Sequence, residues 1–483
     1  MAILGIDFGT AFSFPSAMIE GRPETLLPSS SRRGIPSVFY YDRTVGVQVG
    51  EKAVDYMAIQ NKNGVKHVKR YLNYDWDPDG RRFTSTQVCA NILATVAAIA
   101  NQQLAQNTFE AFATEAVLAI PAKFGHKERE LLRTAAELPK PQGGSGLKVR
   151  GFIPEPVAAA IDYAERIKSA KQILVYDLGA GTFDIALVEP TPGSRQPYRV
   201  VDFDGISGGA AGNDFDLAFA RYLAPRLQRE CGVTISASDS VFLDAVRTAK
   251  EELSTSESTK LVYQHNGRYC TPAPIVTRQQ FEDATRQVLA MSIEMTRRFA
   301  QKCNLLNANG MEVILVGGSS YMPQVKTGVS GVMGAQTQVR LYRPEQSISY
   351  GAARYAANKD LVMQSAPHSY AVSTYRYGTD DEYLCTMLKR NQSLPTDWVR
   401  SGFQTRLDNQ TETTFPVYET DSMDDCQLSE GQRLFTVTLK WDTPVLRGTS
   451  CPAEMRLSED GTLELRAINS KNNRHFEDSI IIS

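Results

Sequence analysis

The sequence predicts an α/β domain built from duplicated halves, followed by an all-β domain. Apolar, β-branched runs alternate with helical stretches as far as about residue 359. An apolar run, an acidic turn and a second apolar run occur in that order twice, at residues 2–20 and 173–189. From residue 370 onward, short runs of period two replace the helical periodicity. A chain of 483 residues is also too long for a single core.

The alternation in the first domain is visible in short segments that end in turn residues. The strand candidates are AILGID, SVFYY, AVLAIP, ILVYD, IALVE, RVVDFDG and VILVGG. Between them, CANILATVAAIANQQLAQ and QFEDATRQVLAMSIEMTRRFAQKC carry apolar residues at helical spacing. Strands and helices that alternate in this way are typical of an α/β architecture.

The predicted all-β domain covers residues 370–483. Apolar and polar residues alternate in YLCTMLKR, TTFPVYET, LFTVTLKW, AEMRLSED and LELRAINS. Turn signals such as EDG at residues 459–461 separate these runs. Residues 360–369 form the predicted linker between the two domains.

Composition and charge exclude several functional classes. The formal net charge of −2 provides no basic surface for nucleic acid, and the chain has no polybasic stretch for a membrane surface. The seven cysteines are scattered without a C-x-x-C pair, which favours free thiols in a reducing compartment. The N-terminus lacks a basic leader, and we find no apolar stretch long enough to span a bilayer. We therefore expect a cytoplasmic protein without nucleic-acid or membrane partners.

The repeated motif is suited to binding phosphate. In each copy an apolar strand ends at an aspartate, Asp7 or Asp177. Gly9 or Gly179 then permits a tight reversal, in which backbone N–H groups can approach phosphate oxygens while the carboxylate reaches a hydrated cation. Each copy alone is equally consistent with an ordinary hairpin turn. The pairing of the two, with a third glycine turn in VILVGGSS at residues 313–320, favours a phosphate site clasped from both sides.

With its three glycine turns in this order, the sequence resembles the superfamily of actin, sugar kinases and heat-shock chaperone ATPases. Further segments resemble the DnaK-type seventy-kilodalton heat-shock chaperones, namely AVLAIPAKFGHKERELLRTAAEL, GFIPEPVAAAIDYA, GGAAGNDFDLAFA, ILVGGSSYMPQV, NGVKHVKRYL, LKRNQSLPT and EDGTLELRA. The resemblance covers essentially the whole chain. It implies an actin-like, two-lobed ATPase domain over residues 1–359 and, after the linker, a β-sandwich that resembles a substrate-binding domain over residues 370–483.

The resemblance implies an ATPase that holds ATP or ADP with Mg²⁺. Glu155 and Asp177 would position or deprotonate the attacking water, and Thr182 would lie near the γ-phosphoryl group. Lys69 would orient the water and offset charge on the transferred group. Phosphoryl transfer requires positioning and charge neutralisation more than covalent chemistry, which suits these residue types. On pattern alone, Lys69 would be a solvated lysine in a basic run.

The same resemblance implies how metal and nucleotide are held. Asp7 and Asp184 would bind Mg²⁺ through its water molecules. The implied nucleotide-binding residues are Gly9, Thr10, Ala11, Phe12, Gly179, Ala180, Gly181, Thr182, Gly212, Asp214, Arg247, Lys250, Glu251, Ser254, Gly317, Gly318, Ser319, Tyr321 and Glu345.

Several of these positions depart from the family pattern. Ala11 and Ala180 replace a hydroxyl residue and a glycine, and both are small enough for the turns to survive. Arg247 and Glu251 carry charges opposite to those usual in the family, and their spacing of four residues predicts that they can still bridge on a helix. Tyr321 stands in place of an arginine and can stack on a purine.

In the second domain the resemblance implies a site for extended hydrophobic peptides. The implied pocket residues are Val372, Tyr375, Phe403, Thr413 and Phe415. For each of them a place in the sandwich core is an equal alternative to contact with peptide. Thr413 stands where the family has an apolar residue, which predicts weaker peptide binding.

Coupling between the domains is also implied. Leu361, Val362 and Met363 form the apolar centre of the linker, and Pro121 and Arg129 match positions that connect γ-phosphate sensing to domain docking. The implied partners are unfolded or extended polypeptide, a J-domain cochaperone and a nucleotide-exchange factor. We find no counterpart of the family's helical lid after HFEDSIIIS.

The sequence therefore predicts an ATP-dependent chaperone that hydrolyses ATP slowly and binds polypeptide under nucleotide control. A nucleotide-switched scaffold for one specific partner protein is an open alternative, because the peptide pocket is altered and no lid is expected. A sugar kinase of the same superfamily is a further alternative, which the β domain disfavours.

Overall fold

The computed structural model describes residues 2–28, 33–107, 112–167, 171–194, 196–232, 234–265, 268–269, 272–306, 310–363, 365–376, 379–459 and 461–482. The chain forms two compact units. The first comprises Met1–Phe124 and Glu130–Leu361, and the second comprises Gly125–Arg129 and Val362–Ser483.

Strands and helices alternate along the chain as far as residue 361, which confirms the predicted mixed α/β class. The strands are β1 (Leu4–Phe8), β2 (Phe12–Ile19), β3 (Arg22–Thr25), β4 (Ile35–Pro36), β5 (Val38–Asp42), β6 (Gly46–Val49), β7 (Gly64–Lys66), β8 (Asp75–Trp76), β9 (Phe83–Thr84), β10 (Glu115–Ile120), β11 (Lys148–Pro154), β12 (Ile173–Leu178), β13 (Thr182–Pro190), β14 (Tyr198–Ser207), β15 (Ser258–Lys260), β16 (Gln264–His265), β17 (Arg268–Tyr269), β18 (Ile275–Thr277), β19 (Glu312–Val316) and β20 (Gln338–Leu341). The α-helices are α1 (Glu51–Ile59), α2 (Ser85–Asn107), α3 (His126–Glu137), α4 (Glu155–Ile167), α5 (Gly212–Cys231), α6 (Ser240–Leu253), α7 (Arg278–Lys302), α8 (Pro323–Met333) and α9 (Ser347–Ala357).

Two sheets of the first unit share one topology. The first has the order β11-β10-β1-β2-β3, and the second contains β20-β19-β12-β13-β14 in the corresponding order. In both, the leading strand forms an antiparallel hairpin with the next strand and pairs in parallel with a later one. Asp7 and Asp177 occupy equivalent places near the ends of β1 and β12. The repeated sequence motif therefore corresponds to a repeated sheet topology.

Helix α2 corrects one expectation from the sequence. Its residues Ser85–Gln106 are long and apolar enough to cross a membrane by composition, although we found no such stretch in the sequence. Its apolar residues Val88, Ile92 and Val96 are fully buried in a core cluster with Leu4 on the first sheet. Packing inside the first unit accounts for the apolar character of this helix.

Close packing of α4 against α9 fixes the start of α4, where Glu155 lies. A Cβ atom on Gly351 would lie 1.8 Å from the carbonyl oxygen of Ala158, so only glycine permits this approach. Farther along α4, the buried Asp162 accepts hydrogen bonds from Tyr342 Oη at 2.9 Å and Arg354 Nε at 3.1 Å. These contacts hold α4 firmly against its neighbours.

The second unit is built from strands. They are β21 (Val362–Met363), β22 (Ser369–Tyr375), β23 (Glu382–Leu388), β24 (Val399–Ser401), β25 (Gln410–Thr420), β26 (Cys426–Gln427), β27 (Gly431–Val445), β28 (Ala453–Leu457), β29 (Thr462–Asn469) and β30 (Arg474–Ile481). One sheet has the order β26-β23-β22-β25-β27 and the other β24-β28-β29-β30. Apolar residues of both sheets share one core cluster. The described residues after 369 contain strands and one short 3₁₀ helix, which agrees with the predicted all-β character.

The predicted linker contains regular structure. A 3₁₀ helix covers Lys359–Leu361, β21 follows it directly, and β22 begins at Ser369. Gln364 lies outside the described residues.

Candidate active site

A cavity of about 370 Å³ lies in the first unit between the glycine turns. The sequence-predicted residues that line it are Asp7, Gly9, Thr10, Ala11, Phe12, Lys69, Glu155, Asp177, Gly179, Ala180, Thr182, Arg247, Lys250, Glu251, Ser254, Gly317, Gly318, Ser319, Tyr321 and Glu345. The structure thus brings residues from all three predicted turns, and from helices α4 and α6, around one space.

Two predicted glycines stand behind the lining and let the turns approach one another. A Cβ atom on Gly181 would lie 2.6 Å from Thr10 Oγ1, so the first and second turns meet at this point. A Cβ atom on Gly212 would lie 2.3 Å from Ser319 Oγ. Both positions require glycine for steric reasons.

Asp214 is also outside the lining, because its side chain caps helix α5. Its carboxylate accepts a hydrogen bond from the backbone N–H of Ala211 at 3.0 Å. Its other oxygen lies 3.7 Å from Arg70 Nη2. The residue predicted to bind nucleotide therefore stabilises the helix start that borders the cavity.

A buried ion pair stands at one end of the cavity. Lys69 Nζ donates a short hydrogen bond to Glu155 Oε1, and both side chains are almost fully buried. The ammonium group also lies 5.8 Å from the ring centroid of Phe124. Lys69 belongs to the 3₁₀ helix Val68–Arg70, and its burial excludes a solvated lysine.

Three further buried carboxyls surround this pair. Burial raises the pKa of Asp7 to about 7 and that of Asp184 to about 7, and the charge of Glu155 adds to both shifts. Burial and the charge of Glu155 raise the pKa of Asp177 well above its usual range. Asp184 Oδ1 accepts a hydrogen bond from the N–H of Ala122 at 2.9 Å. This concentration of acid in a buried site favours a bound cation.

Unfilled acceptors support the same conclusion. Asp177 Oδ2 and Asp184 Oδ2 are buried without a hydrogen-bond partner in the described part of the chain. Among those residues, no group of three His, Cys, Asp or Glu side chains is placed to hold a metal ion directly. The site therefore fits a cation held through water, as Mg²⁺ often is.

At the other end of the cavity, the predicted bridge between Arg247 and Glu251 does not form. Arg247 Nε pairs with Asp216 Oδ2 at 3.2 Å, and Lys250 Nζ lies 2.7 Å from Asp216 Oδ1. Glu251 pairs instead with Arg33 Nη1 at 3.2 Å. The sequence could not reveal this, because Asp216 and Arg33 lie on other elements and have no spacing relation to α6.

The same end is polar and open to solvent. Tyr321 keeps 43% of its surface exposed, which leaves its ring free to contact a planar ligand. Burial raises the pKa of Glu345, Arg33 lowers it, and Glu251 raises it further. Glu251, Glu345 and Arg33 therefore influence one another as a cluster of charges.

Sequence reasoning missed several lining residues, namely Phe14, Arg33, Asn213, Thr255, Met322, Pro344 and Ile348. Asn213 and Thr255 directly follow the predicted residues Gly212 and Ser254, so their positions next to these residues could have indicated them. Arg33 follows a serine-rich stretch of the sequence, and it has no periodicity or motif to mark it.

The structure places three of the predicted peptide-pocket residues in the core of the second unit. Val372, Phe403 and Phe415 are buried among residues of both sheets. The rings of Phe403 and Phe415 pack edge to face, with centroids 5.6 Å apart. Their burial favours the alternative that they form the sandwich core.

The other two predicted pocket residues have polar neighbours. Tyr375 is partly exposed, and the Arg406 guanidinium lies 3.9 Å from its ring centroid. Thr413 Oγ1 accepts hydrogen bonds from Trp441 Nε1 at 3.0 Å and Gln410 Nε2 at 3.2 Å. Tyr375 is therefore the predicted residue with an accessible apolar surface.

The residues predicted to couple the domains divide between the two units. Pro121 and Leu361 belong to the first unit, whereas Arg129, Val362 and Met363 belong to the second. Pro121 is buried directly before Ala122, whose N–H binds Asp184. Coupling through these residues remains a prediction.

Comparison with known families gives an independent result. A family model for the Hsp70 protein matches residues 3–79 and 74–480, which is nearly the whole chain.

Proposed function

The chain belongs to the Hsp70 protein family, and we propose that it is an ATP-dependent chaperone that hydrolyses ATP slowly and binds unfolded or extended polypeptide under nucleotide control. Hsp70 proteins are ATPases. The observation that carries the proposal for this chain is the group of Lys69, Asp7, Glu155 and Asp177 that lines the cavity between the glycine turns. A fourth buried carboxyl, that of Asp184, lies behind the lining, where Asp184 pairs with Asp177 across β12 and β13.

The glycine turns suit the binding of a triphosphate. Gly9 and Gly179 line the cavity, and neither has a side chain that would separate its backbone from a ligand. A Cβ atom on Gly9 would lie 2.1 Å from the carbonyl oxygen of Phe12, so the tight reversal of the chain requires glycine at this position. Backbone N–H groups in such turns form concave anion sites.

Asp7 and Asp184 would hold Mg²⁺ through its water shell, and the bound ion would supply positive charge against the developing negative charge on the phosphoryl group. Glu155 and Asp177 would orient the attacking water and accept its proton, and Lys69 would align the water with the γ-phosphoryl group. A cation near these carboxyls favours their charged forms and so lowers the raised pKa of Asp177.

The same contacts predict slow hydrolysis. The carboxylate of Glu155 is held in an ion pair with Lys69, and burial and the charge of Glu155 raise the pKa of Asp177 well above its usual range. The described lining also contains no cysteine or histidine that would act as a strong base or nucleophile. Turnover should therefore depend on geometry and charge rather than on a reactive side chain.

We assign polypeptide binding to the second unit, with an accessible surface centred on Tyr375 rather than on the buried Val372, Phe403 and Phe415. An extended peptide held by strands gains affinity from main-chain hydrogen bonds and one or two side-chain contacts. Few accessible apolar residues would make this binding weak and rapidly reversible.

Control by nucleotide is proposed to pass through the linker residues Leu361, Val362 and Met363. If so, the rate of tryptic cleavage near Met363 should differ between ATP and ADP. Equal rates in both nucleotides and without nucleotide would exclude this coupling. A cytoplasmic location, a J-domain cochaperone and a nucleotide-exchange factor remain part of the proposal.

The ATPase assignment is tested with a matched pair of variants. Asp7→Asn should lose most magnesium-dependent phosphate release, because it removes a charge from the phosphate end of the cavity. Asp55→Asn, on an exposed position of helix α1, should behave like the wild type. Equal phosphate release by all three proteins would show that the cavity is not the catalytic site.

A nucleotide-switched scaffold for one partner is the second candidate. The burial of Val372, Phe403 and Phe415 favours it, because a surface with few open apolar pockets suits one specific partner better than many unfolded clients. Pull-downs in ATP and ADP distinguish the two. A varied set of unfolded proteins supports the chaperone, and a single folded partner in one nucleotide state supports the scaffold.

A further inference from the structure

The end of the cavity near Tyr321, the open end, contains two cations of helix α6 that are already paired with protein acceptors. Arg247 Nε lies 3.2 Å from Asp216 Oδ2, and its Nη1 lies 3.4 Å from Asp244 Oδ1. Lys250 Nζ lies 2.7 Å from Asp216 Oδ1 and donates to the carbonyl oxygen of Gly212 at 3.2 Å. These two cations therefore direct much of their hydrogen-bonding capacity away from a ligand.

Two carboxyl groups and one further cation also line the open end. Glu251 follows Lys250 on α6 and keeps 44% of its side-chain surface exposed. Glu345, which follows β20, is half-buried in the lining. The cation is Arg33, whose Nη1 lies 3.2 Å from Glu251 Oε2. An ionised carboxylate only accepts hydrogen bonds and a guanidinium only donates them, so Glu251 and Arg33 offer a ligand an acceptor beside a donor.

This polarity matches the hydrogen-bonding edge of one purine better than that of the other. A nucleotide whose phosphates lie at the glycine turns would place its base at the open end, beside the ring of Tyr321. Guanine carries two adjacent donors, N1–H and the 2-amino group, which one carboxylate can accept together. Its O6, next to N1, is an acceptor that suits arginine. Adenine has a single amino group flanked by acceptor nitrogens, which a carboxylate repels.

We propose that the cavity binds guanine nucleotides at least as tightly as adenine nucleotides, with Glu251 accepting from N1–H and the 2-amino group and Arg33 donating to O6. The inference rests on the proposed nucleotide site and adds a second class of ligand to it. Ribose and phosphates are common to both classes, so the preference must arise at the open end.

Calorimetric titration with GDP, IDP and ADP in the presence of Mg²⁺ measures the base contacts without depending on hydrolysis. The three ligands share ribose and phosphates, and IDP lacks only the 2-amino group of GDP. The wild type should bind GDP as tightly as ADP or more tightly. It should bind IDP about fivefold more weakly than GDP, because one charge-assisted hydrogen bond is lost.

Glu251→Gln tests the carboxylate directly. Glutamine has nearly the same shape but no charge, and its amide can pair with N6 and N7 of adenine. GDP binding should weaken about tenfold, ADP binding should stay within about threefold or become tighter, and the difference between GDP and IDP should disappear. Glu252→Gln is the matched control on the next position of α6, because Glu252 is exposed and lies outside the lining. It should bind all three ligands like the wild type.

The possible outcomes separate this inference from the proposed ATPase. If the wild type binds ADP more than about twofold more tightly than GDP, the guanine preference is overturned and the ATPase stands. If Glu251→Gln leaves GDP binding unchanged, or weakens all three ligands equally as a contact with ribose would, the preference is again overturned. If no ligand binds, both proposals fail. If the expected affinities are found but ATP is not hydrolysed, only the ATPase fails.

Discussion

The pair of Lys69 with Glu155 at one end of the cavity and the pair of Arg33 with Glu251 at the other differ in their access to water. Lys69 and Glu155 keep only 3% and 8% of their side-chain surface exposed. Arg33 and Glu251 keep 79% and 44%. Removing one partner from a buried pair leaves an uncompensated charge, whereas an exposed charge is readily solvated. The comparison teaches that burial, rather than the number of charges, decides which end of the cavity tolerates change.

The same contrast suggests a division of labour. At the phosphate end, buried carboxyls with raised pKa values surround a single lysine. A bound cation would offset the repulsion between these carboxyls. At the other end, Tyr321 and the Arg33–Glu251 pair lie in contact with solvent. We infer that the buried end performs the chemistry and that the open end contributes affinity.

Lys69→Ala should have the largest effect, because Glu155 would remain buried without its cation. We expect the free energy of unfolding to fall by about 3–5 kcal/mol. Urea unfolding measures this loss, and the double variant Lys69→Met/Glu155→Gln should recover most of it without recovering turnover. If Lys69→Ala lowers the free energy of unfolding by less than about 1 kcal/mol, the Lys69–Glu155 pair behaves like an exposed one. The difference between the two ends of the cavity would then not depend on burial.

The pH dependence of the nucleotide-free protein should show the next largest effect. Burial raises the pKa of Asp7 and of Asp184 from 3.8 to about 7. Between these values the carboxyls are protonated in the folded chain and ionised in the unfolded chain, so they make stability fall as pH rises. In EDTA, Asp184→Asn should flatten this fall, since asparagine still offers an oxygen to the Ala122 N–H. An unchanged slope would show that Asp184 is ionised throughout.

At the open end, Tyr321→Ala should weaken nucleotide binding without changing the reaction. Loss of an aromatic contact should lower affinity for fluorescent ATP about five- to tenfold. Tyr321→Phe is the matched control and should bind like the wild type. A normal affinity in Tyr321→Ala would remove the tyrosine from the binding surface.

Arg33→Ala should have the smallest effect. An exposed pair contributes less than about 1 kcal/mol, so urea unfolding should be nearly unchanged. Raising the salt concentration should reduce even this small difference. A larger loss would mean that Arg33 and Glu251 support more of the fold than their exposure indicates.

The sequence predicted the phosphate end better than the open end, for a physical reason. Asp7, Asp177 and the glycine turns lie at fixed places in a strand pattern that occurs twice in the sequence. The ends of the two strands, β1 and β12, both border the cavity. The partners of Arg247 and Glu251 come from distant elements, and no local spacing encodes them.

The second unit shows a different limit. The alternation of apolar and polar residues in β25 correctly indicated which residues share a face of the strand. It did not show whether that face would meet another sheet or a ligand, so Phe415 was equally compatible with a core and with a pocket. Helix α2 shows the same limit, because an apolar helix surface has the same residue composition whether protein or lipid covers it.

The central claim, that the buried end performs the chemistry, is tested most directly by single-turnover phosphate release at saturating Mg·ATP in Lys69→Ala and Tyr321→Ala, with nucleotide affinity measured in parallel. Lys69→Ala should bind ATP and release phosphate at least about 100-fold more slowly than the wild type. Tyr321→Ala should bind more weakly but, once saturated, release phosphate within about twofold of the wild-type rate. Wild-type turnover in saturated Lys69→Ala would contradict the account.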